Sequence, residues 1–310
     1  MKLKKPNLQQ VSAALLAGTM LASSIFFSKF LESHPSPKVI QSPVAQTAVS
    51  DTISTPLRLQ TTSFRPSTLK KARQYLIANG FEHQFVDSLF SDSRLSKLNI
   101  FSSASKPAKK LTYEEYKRLY GFEELAVKGA KFYHLHKNLL DSLQSFTGVP
   151  AFLVVSILGI ESTYGNNLGN HLLINVFLTI IEDRPARKDF ALQQLEDFLA
   201  LCRHFGIDPY SVKGSHWGAF LPAQFIPSSL RKYLHVLDCS SFEELYNIEN
   251  SIRLAFSYLA DAGASAKENF SLDSSNYEAA FAYNHSSFYA RLAVELAERI
   301  KQLSKKMGPL

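Results

Sequence analysis

The chain has 310 residues, 45% of them hydrophobic and 20% charged, with 34 Lys and Arg against 27 Asp and Glu for a formal charge of +7. That is enough apolar material to bury a sizeable core, as one large domain or two lobes. The excess cations are scattered, with no arginine-rich run and no stripe alternating with aromatics. They read as general attraction to anionic surfaces and exclude a nucleic-acid interface.

Lys2, Lys4 and Lys5 precede an apolar run over residues 11–27, the layout of a secretory signal. No small-x-small cleavage site follows and no Cys stands ready for a lipid. At about 17 apolar residues the run is near the lower limit of a spanning helix. Residues 1–31 are therefore expected to be a cleaved signal peptide or an uncleaved membrane anchor. Either implies export, with the bulk of the chain outside the cytoplasm. Residues 32–63, rich in Ser, Thr, Pro, Gln and Val, read as a flexible linker, and residues 64–310 as the folded domain. An exported protein could oxidise its two cysteines, Cys202 and Cys239, although the apolar helical setting of Cys202 suits a packed thiol.

The folded part begins with a helix that Ser67 can cap, carrying Leu69, Ala72, Tyr75 and Leu76 and stopping near Asn79-Gly80. A short helix is expected over residues 83–90, and residues 97–110 are polar and loop-like. Thr112 with Glu115 forms a capping box ahead of Tyr116, Leu119 and Tyr120. Residues 123–146 read as one amphipathic helix with Leu125, Phe132, Leu135, Leu139 and Leu143 inward.

Residues 149–165, V-P-A-F-L-V-V-S-I-L-G-I-E-S-T-Y-G, are apolar on every face of a helix and predict a buried one. It carries one carboxylate, Glu161, near its end. Two readings stand level on this stretch alone. Either the helix end has reached solvent, or Glu161 is a proton donor whose pKa is raised by apolar surroundings, as a glycosidic general acid requires.

A polar loop follows, then an apolar helix over residues 172–181, a turn at 183–185, and an amphipathic helix over 187–205. Glu182 and Asp183 read as solvated at that turn. Residues 208–227 crowd glycines, prolines and aromatics without a period, the mark of a loop that lines something. Further helices are expected through Tyr233, at 242–246 and at 252–259, with a last one over 277–301 interrupted around Asn284. Strand-type alternation is nearly absent, so the fold is expected to be mainly α.

Metal and nucleophile chemistries find no support. His134 and His136 lie two apart on a helix and face apart, and no His/Cys spacing fits zinc. His216 and His285 lack a Ser or Cys partner and read as polar wall residues. There is no phosphate-cradling glycine loop. What remains is Glu161, a loop carrying Ser215, Trp217, Phe220 and Gln224, and the Tyr283-Asn284 break. Rings flanked by amides and hydroxyls suit a saccharide groove; the same rings also suit a packed core.

These blocks resemble the membrane-bound lytic murein transglycosylase B family, lysozyme-like enzymes that cleave peptidoglycan glycan strands. G-V-P-A-F-L-V-V-S-I-L-G-I-E-S-T-Y-G is similar to the family's catalytic-helix block, V-K-G-S-H-W-G-A-F-L-P-A-Q-F-I-P-S-S to its loop block, and F-A-Y-N-H-S-S-F-Y to its Tyr-Asn block. The resemblance implies a lysozyme-like helical catalytic domain with additional helices forming the groove. It makes Glu161 the catalytic acid/base, Ser215 and Gln224 sugar contacts, and Tyr283 and Asn284 the pair beside the Glu, with the Tyr283 hydroxyl orienting it. Tyr164 falls at an aromatic position just after it, which the resemblance assigns to the substrate groove.

Pro222 and Ala223 are bulkier than the family's glycine there. The V-L-D-C-S-S-F-E stretch offers too few oxygens for the calcium loop of some members, so no metal and no cofactor is expected. The implied chemistry uses one Glu, because the muramyl 6-hydroxyl supplies the nucleophile and a 1,6-anhydro product results. A lysozyme-type hydrolase with two carboxylates and a non-catalytic peptidoglycan-binding protein are the alternatives. Glycan strands are the expected partner, membrane attachment would run through the N-terminal segment, and a monomer in the periplasm or cell envelope is expected.

Overall fold

The computed structural model describes residues 63–101 and 111–307. The expected signal or anchor, all of the linker but Ser63, and residues 102–110 of the predicted loop lie outside the described residues. The described helices all belong to one unit, Thr61–Leu310.

Helices α1 (Pro66–Ala78) and α2 (His83–Ser91) open the unit, followed by α3 (Tyr113–Leu119), α4 (Phe122–Leu135), α5 (Lys137–Thr147) and α6 (Ala151–Ser162). Strand β1 (His171–Leu172) leads into α7 (Leu173–Asp183) and α8 (Lys188–Phe205), and β2 (Lys213–Gly214) into α9 (Pro227–Tyr233). Helices α10 (Ile248–Asp261), α11 (Ser275–Tyr283) and α12 (Ser287–Met307) close it. The mainly α expectation holds. The two short strands pair antiparallel, His171 opposite Gly214, and tie the segment after α6 to the irregular loop.

The all-apolar sequence of α6 becomes the centre of the core. Leu153, Val154, Val155, Ile157 and Leu158 have no accessible surface, and α4, α5, α10 and α12 pack around them. Truncating Leu153, Ile157 or Leu158 to Ala costs about 2–5 kcal/mol by the usual cavity penalty. The side chain of Gln144 accepts the Ala151 N–H at 2.8 Å and so caps the start of the helix. The buried Ser156 hydroxyl donates to the Ala293 carbonyl at 2.7 Å, joining α6 to α12.

Three expectations need correction. Residues 123–146 form two helices, not one, because His136 adopts φ −108° and ψ 20°. The bend lets α5 lay Leu140 and Leu143 against its neighbours, while Leu135 ends 75% exposed. Ser67 is not the cap of α1. The helix starts at Pro66, and the Arg65 N–H is taken by Glu182 at 2.8 Å.

Glu182 is therefore not solvated. Its carboxylate is buried, 2.9 Å from Lys97 and 2.9 Å from the Thr68 hydroxyl. Burial alone would raise it, but Lys97, the Arg65 N–H and Thr68 overcome burial and hold it down at about 2. His134 and His136 do part company, the first reaching the Ser304 carbonyl and the second lying on the Phe132 ring. Cys202 and Cys239 are free thiols. No single described helix is long and apolar enough to cross a membrane.

Candidate active site

Glu161 occupies the last turn of α6. The helix stops because Thr163 and Tyr164 both enter the left-handed region, at φ 51° and 61°. Their N–H groups return to the Gly159 and Leu158 carbonyls at 2.9 and 3.2 Å. For non-glycine residues each such conformation costs roughly 1–3 kcal/mol and persists only where the surroundings enforce it.

Tyr164 provides the enforcement. Its ring stacks on Phe132 at 4.8 Å and its hydroxyl donates to the Leu125 carbonyl at 3.1 Å. Gly159 and Gly129 leave the room for it, since a Cβ there would stand 2.6 and 2.5 Å from the Tyr164 hydroxyl oxygen. The Tyr164 side chain is thus wedged between α4 and α6, away from the groove to which its position in the motif had assigned it. Its work is to fix the backbone just after Glu161.

Part of the Glu161 surface stays open, as a proton donor needs, while its carboxyl is densely surrounded. Burial raises it from its ordinary 4.5 to about 7, against the opposing pull of a 2.6 Å hydrogen bond donated by the Tyr289 hydroxyl. No charged group among the described residues contributes to that shift. A carboxyl in this state is close to half protonated at neutral pH, so it can both give and take a proton.

Three tyrosines from three helices face it: Tyr116 of α3, Tyr283 of α11 and Tyr289 of α12 all feel its charge. Burial first, and that negative charge among the further causes, push their hydroxyls above the ordinary range. They remain protonated hydrogen-bond donors.

The irregular loop closes the site from the other side. Phe220 and Phe225 form an isolated antiparallel bridge around residues 221–224, with Leu221 and Gln224 at φ 67° and 50°. The Ser162 hydroxyl, one residue beyond Glu161, donates to the Pro222 carbonyl at 2.6 Å. The Tyr283 hydroxyl donates to the Ala223 carbonyl, also at 2.6 Å. The loop is therefore pinned to the C-terminal end of α6 and to α11 at adjacent carbonyls. Gln224 directly follows these two carbonyls, its Nε2 donating to the Leu221 carbonyl of its own loop at 3.0 Å.

The structure thus gathers Glu161, the Gln224 loop and Tyr283. Asn284 follows on an exposed turn where α11 ends. Ser215 sits in the next turn of the loop, its Oγ accepting the Ala219 N–H at 3.1 Å. The orienting role expected of Tyr283 is performed by Tyr289, while Tyr283 holds the loop. Tyr289 lay within the quoted Tyr-Asn block, six residues on, but nothing in the spacing says which tyrosine reaches the carboxylate. Tyr116 read only as a helix residue after a capping box, a box the structure confirms. Among the described residues no three His, Cys, Asp or Glu side chains gather as a metal-ligand set.

The site is thus an enclosed acid at a helix end in a helical domain, bounded by tyrosines and a pinned loop. The transglycosylase SLT domain family matches residues 64–269, and the chain belongs to that family. It is 31% identical over 105 residues to the membrane-bound lytic murein transglycosylase B of Escherichia coli (strain K12); that alignment spans 34% of this chain and 29% of that protein. The fold is similar to the soluble lytic transglycosylase SltB1 from Pseudomonas aeruginosa, with TM-score 0.66, 22% identity, and coverage of 77% of this chain and 100% of that one. It is also similar to SltB3 from Pseudomonas aeruginosa, solved in complex with NAG-anhNAM-pentapeptide, with TM-score 0.65, 20% identity, and coverage of 76% and 79%.

Proposed function

We propose that the chain is a peptidoglycan lytic transglycosylase that cuts the β-1,4 bond between N-acetylmuramic acid and N-acetylglucosamine and leaves a 1,6-anhydromuramyl end. The observation that carries this reading is the state of Glu161, a solitary carboxyl raised by burial to about 7. As acid it protonates the glycosidic oxygen; as carboxylate it then accepts the proton of the muramyl 6-hydroxyl, which closes onto C1. One group of this kind contributes about 10²–10⁴-fold. Orientation in the groove has to supply much of the rest, and Tyr289 fixes the carboxyl for both steps.

A two-carboxylate hydrolase would place its second acid about 5–9.5 Å from the first. No second carboxylate acts on Glu161 among the described residues, and Glu182 is committed to Lys97, Arg65 and Thr68. Ser215, Gln224 and Asn284 are assigned to the sugar. Tyr283 acts through the loop, and Tyr164 through the backbone that follows Glu161. The reading carries with it a place in the cell envelope, with glycan strands as substrate; a monomeric enzyme and attachment or export through residues 11–27 are proposed from the sequence alone.

Mass spectrometry of digested sacculi tests the reading. Anhydromuropeptides are expected, and their loss in Glu161→Gln. Reducing muramyl ends would make the chain a lysozyme-type hydrolase, and binding without release would make it a non-catalytic binder.

A further inference from the structure

Helix α3 brings Tyr116 to the Glu161 site with little apolar contact to hold it there. Of its seven residues Tyr113 alone is buried, and Leu119 is 72% exposed. So short a helix with one buried side chain is not stable by itself, and contacts from outside must set where it lies. It packs chiefly on α12 and α4.

The contact with α12 is specific. Tyr113, Tyr116 and Lys117 stand at i, i+3 and i+4 on α3. Phe288, Arg291 and Glu295 stand at i, i+3 and i+7 on α12, so each set runs along one face of its helix. The two faces meet. The rings of Tyr113 and Tyr116 lie 5.6 and 5.7 Å from that of Phe288. The Glu295 carboxylate accepts from Lys117 Nζ at 2.7 Å and from Arg291 Nε at 2.8 Å. The Arg291 guanidinium in turn stands 3.8 Å from the centre of the Tyr113 ring. Burial pushes the Glu295 carboxyl up, but Lys117 and Arg291 outweigh it and hold it below its ordinary range, so it is ionised at neutral pH. The Lys117 and Glu295 side chains are 26% and 28% exposed, and solvent screens their bridge less than it would an open surface pair.

The adjoining face of α12 serves the acid itself. Tyr289 donates to the Glu161 carboxyl, and the Ala293 carbonyl accepts from Ser156 of α6. One helix is therefore fixed to α6 along one stripe and carries α3 along the next. We infer that Glu295 is a positioning residue for the acid/base: by bridging Lys117 and Arg291 it holds α3 on α12, and Tyr116 then covers Glu161 against water. The inference rests on the reading of Glu161 as the acid/base and names what keeps its surroundings closed. Without the Glu295 carboxylate, Lys117 and Arg291 are two cations drawn to one point with nothing between them. Their repulsion works to lift α3 from α12 and to admit water to the Glu161 carboxyl. A bridge that served the fold alone would change the stability of the protein and leave the titration of Glu161 where it is.

The test is the pH dependence of anhydromuropeptide release from sacculi by the full chain, beside a direct ¹³C NMR titration of the Glu161 carboxyl. In Glu295→Gln the Glu161 midpoint should fall by about one pH unit from about 7. The protonated fraction at pH 7 then drops from about one half to about one tenth. Accordingly kcat/KM should fall about fivefold at pH 7 and stay nearly unchanged at pH 5. Lys117→Met keeps an apolar stem beside the Phe122 ring, which the Lys117 ammonium approaches to 3.9 Å, and should move the midpoint the same way. Glu123→Gln breaks the exposed pair that Arg299 of α12 makes with α4 at 2.8 Å, and should leave the midpoint in place. A midpoint that stays near 7 in either folded α3–α12 variant, one that moves as far in Glu123→Gln, or an equal loss of activity at pH 5 and pH 7 overturns the inference. A midpoint that falls in a chain releasing no anhydro product keeps the positioning role and loses the lytic reading. Product release with an unmoved midpoint keeps the lytic reading and loses the positioning role.

Discussion

Glu161 should destabilise the protein that uses it, and by an amount that depends on pH. Its carboxyl is raised from 4.5 to about 7 by burial, which corresponds to about 3 kcal/mol of unfavourable free energy once the group is ionised in the folded state. The sign comes from proton counting. Between pH 4.5 and 7 the folded chain holds the proton more tightly than the unfolded one, so this contribution to stability is greatest below 4.5. It falls as pH rises and is flat above about 7. Glu161→Gln keeps the shape and can still accept the Tyr289 hydroxyl, but never ionises.

The variant should therefore be about 3 kcal/mol more stable than the parent at pH 8 and nearly equal to it at pH 4.5. Urea unfolding at the two pH values, followed by tryptophan fluorescence and circular dichroism, measures the difference. An equal effect at both, or a loss of stability at pH 8, would refute the claim that Glu161 is held in a desolvating site. The result is independent of whether any glycan is cut.

Tyr289→Phe removes the donor that favours the carboxylate, a bond worth about 1.5–3 kcal/mol to a charged acceptor. The alkaline limb of kcat/KM on sacculi should move upward from about 7 by about one to two pH units, read from a pH–rate profile. Ser162→Ala frees the Pro222 carbonyl and the Gly165 N–H together. It should cost about 2 kcal/mol in unfolding experiments and lower kcat more than it raises KM, because the loop is released from Glu161. Glu182→Gln breaks a buried ion cluster and should cost about 3 kcal/mol at pH 7. The parent's benefit from Glu182 is fully present above 4.5 and fades as pH falls towards about 2, so the two proteins should converge in acid unfolding curves.

Glu161 and Glu182 show why one carboxylate was legible in the sequence and the other was not. Both follow apolar helical runs; Glu182 ends up buried, while Glu161 keeps part of its surface open around an enclosed carboxyl. Burial pushes each upward, and only Glu182 meets a cation, Lys97, that reverses the shift. Lys97 lies more than eighty residues away in the chain, inside a stretch that reads only as polar loop. No local pattern announces that pairing, so the expectation of a solvated turn failed. Similarly, the spacing of Tyr283, Asn284 and Tyr289 places all three near one helix interruption. Which hydroxyl reaches Glu161 depends on how α11 and α12 cross α6.

What the chain's own pattern determined is the apolarity of residues 150–160 and hence a core helix; whether the carboxylate at its end met solvent or was desolvated stayed open on that stretch alone. It also fixed the helical content and the aperiodic loop, since both follow from local periodicity and from the placement of glycine and proline. The tertiary structure decided the rest. It broke the helix at His136, turned Tyr164 inward onto the space left by Gly129 and Gly159, and fastened the loop through Ser162 and Tyr283. Such contacts join residues tens of positions apart, and their geometry exists only once the helices have packed.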